Sequence, residues 1–177
     1  MLAKYTKIDY NIVGKKEPKT MFETGDIIVY PMYGAGTIIG IEKKEFLGEI
    51  MDFYCVSLPY CRMEASVPVN NSEKLGVRYV CDSAKVEEVK KVLGAESESM
   101  NPNWNKRYRA NIERMQTGDI LEVAAVVRNL VRIDREKPLS TGEKRLLNQA
   151  KQILISELIY AMDVTAEEVD KMVESHI

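Results

Sequence analysis

EASVPVNNSEKLGVRYVCDSAKVEEVKKVLG, residues 64–94, changes its period partway along. EASVPV is a short, β-branched run of the kind that forms a strand. DSAKVEEVKKVLG is helical in period, with Asp82 or Ser83 as its cap and Gly94 as its stop. The chain therefore divides near residue 80.

Upstream of that change, DIIVYP, TIIGIE and MDFYCVSL have the same character as EASVPV. GAGT breaks the first pair, FLGE reads as a hairpin tip, and LPYC ends the third run. Pro31 and Pro68 fall at strand ends, where a missing N–H does least harm. These features predict a small, strongly bent antiparallel sheet or open barrel over residues 21–80. Downstream, Asn101 followed by Pro102 predicts a cap and first residue for a helix running to Gln116. Gly118 closes it and Asp119 caps the next helix, whose one face carries Ile120, Val123, Ala124, Val127 and Val131. Ser140 with Glu143, and Thr165 with Glu168, have capping-box spacing ahead of helices at about 142–161 and 166–175. Residues 81–177 thus read as an all-α bundle, and the fold class is α+β. Residues 1–20 hold five lysines against Asp9 and Glu17 and read as a flexible leader.

Of 177 residues, 45% are hydrophobic and 29% charged, a globular composition. The formal net charge of -2 excludes a polycation, so nucleic-acid binding has to come from a local patch. Residues 21–80 carry five basic and eight acidic side chains and are a poor main surface for DNA. Cys55, Cys61 and Cys81 lack CxxC spacing, and His176 is the only histidine. Reduced thiols, no metal site and no cofactor are expected. No nucleophile–base pair stands out, so an enzyme is not expected. No apolar run is long enough to cross a membrane and no signal peptide is evident, so a cytoplasmic, monomeric protein is expected.

The informative stretch is NPNWNKRYRANIERM, residues 101–115, which holds the single tryptophan. Trp104, Tyr108, Ile112 and Met115 share one helical stripe, which by spacing alone favours burial. Trp104 also stands at the end of that stripe, with Lys106, Arg107, Arg109 and Arg114 close behind. A tryptophan there can wedge between base steps while the cations grip phosphates. A second basic run, RNLVRIDREK at 128–137, reads as a solvated face. The turn MQTGD between two helices suggests helix-turn-helix, but the following helix opens ILEVAAVV, which cannot read base edges.

Three stretches, MFETGDIIVYPMYGAG (21–36), NWNKRYRANIERMQTGD (103–119) and LSTGEKRLLNQAKQILISEL (139–158), resemble the CarD/CdnL family of bacterial transcription regulators. The resemblance implies a Tudor-like β-module that docks on the RNA polymerase β-subunit lobe by strand addition. It implies helices lying over promoter DNA, with Trp104 wedged into the minor groove at the upstream edge of the bubble. Lys106, Arg107 and Arg109 would contact the backbone, without sequence-specific readout, and the open complex would be stabilised. Lys43 and Lys44 fit the basic position expected on the polymerase side. Ser66 stands where a basic residue occurs in the family, with Arg62 as the candidate replacement. The competing reading is an adaptor that binds polymerase or a repair ATPase and never touches DNA.

Overall fold

The computed structural model describes residues 21–177; the expected leader, residues 1–20, lies outside the described residues. Five strands come first: β1 (Ile27–Tyr30), β2 (Gly34–Phe46), β3 (Glu49–Leu58), β4 (Met63–Pro68) and β5 (Arg78–Tyr79). They form one antiparallel sheet in the order β4-β3-β2-β1-β5. Five helices follow: α1 (Ser83–Gly94), α2 (Trp104–Gln116), α3 (Ile120–Glu136), α4 (Thr141–Met162) and α5 (Ala166–His176). The α+β arrangement is the one the change of period predicts.

The sheet closes on Phe22, Ile28, Ile38, Tyr54, Val56, Leu58 and Val67, all buried. Tyr54 is the pin of this core. Its hydroxyl accepts the backbone N–H groups of Met21 and Phe22 at 3.0 and 3.2 Å, and the Phe22 ring meets it edge-on. The β2–β3 hairpin turns at Leu47 and Gly48, both with positive φ, as FLGE suggests. Its tip is apolar and exposed at Phe46, Leu47 and Ile50.

GAG at 34–36 does not break the first strand pair; it begins β2, opposite Tyr30 and Val29. The turn is Pro31-Met32-Tyr33, with Met32 left-handed. The glycines are needed for close approach. A Cβ on Gly36 would lie 2.2 Å from the Ser57 carbonyl oxygen, and one on Gly34 would lie 2.3 Å from Ser156 Oγ on α4. The two-residue β5 escaped the sequence reading because it is too short to show a period.

Helix ends follow the capping residues. Asp82 accepts from Lys85 N, Asp119 from Leu121 N, and both capping boxes form. The start of α2 differs from the expectation. Asn103, not Asn101, is its cap, accepting from the N–H groups of Asn105 and Lys106. Asn101 instead turns the preceding chain by accepting from Asn103 N at 2.9 Å. Trp104 is therefore the first residue of the helix.

A second core, built from all five helices, includes Val89, Leu93, Met115, Ala124, Leu130, Leu154, Leu158 and Val173. The joint between the two cores is polar. Arg78 on β5 gives Glu157 on α4 two hydrogen bonds, of 2.6 and 2.9 Å, and gives the Gly118 carbonyl two more, of 3.1 and 2.8 Å. Glu157 is 1% exposed and also accepts from Cys81 N at 3.0 Å. On the other side, Ser156 Oγ accepts from Ala35 N at 2.9 Å and donates to the Ile153 carbonyl.

Two outcomes follow from this joint. Replacing Arg78 by Met strands the Glu157 carboxylate and is expected to cost about 3 kcal/mol in urea unfolding. Adding Glu157→Gln to that variant is expected to recover part of the loss, since the uncompensated charge goes; no recovery would place the cost elsewhere. Cys81 lies against the same carboxylate, and burial, then the Glu157 charge, pushes its thiol up to about 12. Between about pH 9 and 12 the folded state thus keeps a proton that the unfolded state has lost. Stability is expected to fall across that window, and the fall to be shallower in Cys81→Ala by alkaline unfolding.

Candidate functional site

Trp104 is 50% exposed at the N-terminal tip of α2. Along its stripe, Tyr108 and Ile112 pack half-buried against the helical core, and Met115 is fully buried. The stripe thus grades from solvent to core over the length of the helix. Its inner end anchors α2, and its outer end presents an indole ring beyond the packed region. This is the arrangement in which Tyr108 and Ile112 anchor the helix while Trp104 overhangs.

The cations around Trp104 separate into two kinds. Lys106 and Arg109 are exposed, and neither has an ion-pair partner among the described residues. Arg107 is largely covered, with its side chain 14% exposed against Glu143 at 3%. Its Nε and Nη2 lie 2.7 and 2.5 Å from Glu143 Oε1, and its Nη1 donates to the Asn101 carbonyl at 3.0 Å. Glu143 lies in the first turn of α4, so this pair brings α4 against the start of α2. The exposed Lys144 and Arg145 directly follow it. Sequence reasoning did not single them out.

Arg114, Arg128 and Arg132 point inward, to the end of α1 and the α1–α2 linker. Arg114 holds the Glu98 carboxylate with two hydrogen bonds and pairs with Glu122. Arg128 is buried and donates to the Val92 carbonyl; Arg132 donates to the Ala95 carbonyl and to Ser97. The expected solvated face at 128–137 is therefore corrected: its first two arginines clamp the end of α1, and only Arg135 and Lys137 face solvent. Burial, opposed by Glu98, holds the Arg128 guanidinium below its usual range. In α3, Ile120 and every residue from Val123 to Leu130 are buried, so that helix has no free opening turn to enter a groove.

The four residues expected on the polymerase side do not form one cluster. Lys44 and Ser66 share a face, and Lys44 Nζ donates to Ser66 Oγ at 2.8 Å while pairing with Glu42 at 3.2 Å. The Lys44 ammonium holds the Glu42 carboxyl below the usual carboxylate range. Lys43 is exposed but points to the opposite face of β2, as alternation requires. Arg62 sits in a left-handed turn at the other end of β4, four residues from Ser66, or about 13 Å along a strand. It lines a groove of about 570 Å³ with Tyr33, Tyr60, Gln149 and Gln152 rather than standing in for a cation at Ser66. β4 is an edge strand, and its outer side has no ladder partner among the described residues.

Among the described residues, no group of three or more His, Cys, Asp or Glu could hold a metal ion, and no helix is long and apolar enough to cross a membrane. Residues 22–81 match the family description "CarD-like/TRCF RID domain", and residues 88–174 match "CarD, C-terminal domain". A Bacillus subtilis (strain 168) protein named "Putative transcription factor YdeB" is 37% identical over 150 residues, covering 84% of this chain and 97% of that protein.

As Trp104 is the only tryptophan, its emission reports on this site alone. Acrylamide is expected to quench it in the native state, to an extent approaching that in urea. Native-state protection from the quencher would contradict the exposed tip.

Proposed function

The chain belongs to the CarD family of transcription regulators, and from that premise we propose that it docks on RNA polymerase through its sheet and stabilises the open promoter complex with Trp104. The observation that carries the proposal is the half-exposed Trp104 at a helix tip, on the same helix as Lys106 and Arg109, which are exposed and have no ion-pair partner among the described residues. A flat apolar ring in that position enters a minor groove and holds an unstacked step apart. Lys106 and Arg109 contact the flanking phosphates without reading sequence. The buried start of α3 supplies no base-reading surface, so the distorted shape of the bubble edge is what is recognised.

Docking belongs to the sheet. The open edge of β4, with Lys44 and Ser66 on the adjoining face, offers main-chain pairing to a strand of the polymerase β-subunit lobe. Docking there raises the local concentration of the wedge, so a few phosphate contacts suffice despite the net charge of -2.

The test is the lifetime of open complexes formed by the cognate holoenzyme with no added protein, wild type or Trp104→Ala. Wild type is expected to extend the lifetime. A base-stacking contact is worth about 1–3 kcal/mol, so Trp104→Ala is expected to shorten it by about tenfold, toward the value without the protein. Equal extension by both forms would favour an adaptor without DNA contact, and extension by neither would sink the proposal.

A further inference from the structure

We infer that Arg107 and Glu143 are a positioning pair for Trp104, and that Arg107 is not one of the phosphate contacts. The inference rests on the wedge reading above and divides the cations of α2 between two tasks.

The geometry leaves Arg107 little to offer DNA. All three of its guanidinium nitrogens are engaged, two by Glu143 Oε1 and the third by the Asn101 carbonyl. The second oxygen of Glu143 is also taken, accepting from Ser140 Oγ at 2.9 Å and from Ser140 N at 3.4 Å. One carboxylate thus closes the capping box of α4 and neutralises the arginine of α2. A buried pair of this kind is tolerated only when its hydrogen bonds are complete, and what it contributes is geometry more than stability.

The pair sits where geometry is needed. Asn101 precedes Trp104 by three residues and Arg107 follows it by three, so the guanidinium brackets the turn that carries the indole. Apolar packing cannot hold this end. The only fully buried residues of α2 are Asn111 and Met115, in its second half. With little apolar contact, the first turn would fray. The bracket through α4 fixes the direction in which Trp104 leaves the bundle, while Lys106 and Arg109, exposed on the same helix, stay free for phosphates.

The variant that separates the two roles is Glu143→Gln. Glutamine keeps the capping bond to Ser140, so α4 retains its start. It removes the charge and the acceptor oxygen that hold Arg107, since the amide NH2 then faces the guanidinium. Three readings follow on the full chain: steady-state anisotropy of Trp104 fluorescence without DNA, open-complex lifetime with holoenzyme, and the salt dependence of binding to a fluorescein-labelled promoter duplex. A positioning pair predicts lower Trp104 anisotropy and a lifetime several-fold shorter, with the slope of log K against log salt unchanged. Lys106→Ala and Arg109→Ala are each expected to reduce that slope by about 0.9, one phosphate contact apiece. Arg107→Lys, which keeps the charge but loses the fork, is expected to behave like Glu143→Gln. If Arg107 were a phosphate contact, freeing it by Glu143→Gln would tighten DNA binding, Arg107→Lys would resemble wild type, and Arg107→Ala would lose about 0.9 of the slope. Any of these overturns the inference, and so does unchanged anisotropy in Glu143→Gln. Failure of wild type to extend the lifetime overturns the wedge reading instead, and the anisotropy result still stands on its own.

Discussion

The hydrogen bonds of one guanidinium hold this molecule to its shape. Arg78 reaches from the edge of the sheet to Glu157 in the C-terminal half of α4 and to the Gly118 carbonyl between α2 and α3. It therefore joins the sheet, the longest helix and the turn after the tryptophan-bearing helix in one polar knot. Neither apolar core does this, because each closes mainly on its own elements. A buried carboxylate accepts a partner from few directions, so the knot defines how the sheet and helices face each other. Gly34 adds a steric condition, since Ser156 fits against the backbone of β2 only where no Cβ stands in the way. Glu157 and Ser156 are neighbours on α4, so one turn of that helix serves both contacts.

The same principle recurs at each end of α2. This helix is mostly exposed. Packing alone therefore holds it poorly, and arginines make up the difference. Arg107 ties its first turn to α4, and Arg114 ties its last turn to Glu98 and Glu122. Arg128 and Arg132 then secure the linker that leads into it. A chain with net charge -2 thus spends much of its arginine on internal joints and leaves a few cations at the surface where the tryptophan emerges.

This division bears on how a regulator can act without reading sequence. Phosphate contacts add affinity in proportion to their number and weaken with salt. On the proposed reading, in which polymerase carries the protein to the promoter, it has no need of many. What it needs is a ring held in a fixed direction, because a wedge that swings freely loses on ordering what it gains on stacking.

Much of the fold was legible in the sequence because the relevant signals are local. Strand runs, helix periods and the capping boxes at Ser140 and Thr165 act over a few residues, and all of them appear in the structure. The errors had one local cause and one distant one. Asn103 took the cap that Asn101 and Pro102 advertised, since its side chain reaches two N–H groups. GAG entered β2 rather than breaking it, because the demand for glycine came from Ser57 and Ser156, far away in the chain. The candidate site divides in the same way. The sequence by itself determined that Trp104 stands at the end of a helix among cations. Tertiary structure decided that Lys106 and Arg109 have no ion-pair partner among the described residues and that Arg107 is held by a carboxylate 36 residues on. The physical reason is that a residue type specifies a charge and a reach, whereas its partner is chosen by where two helices cross.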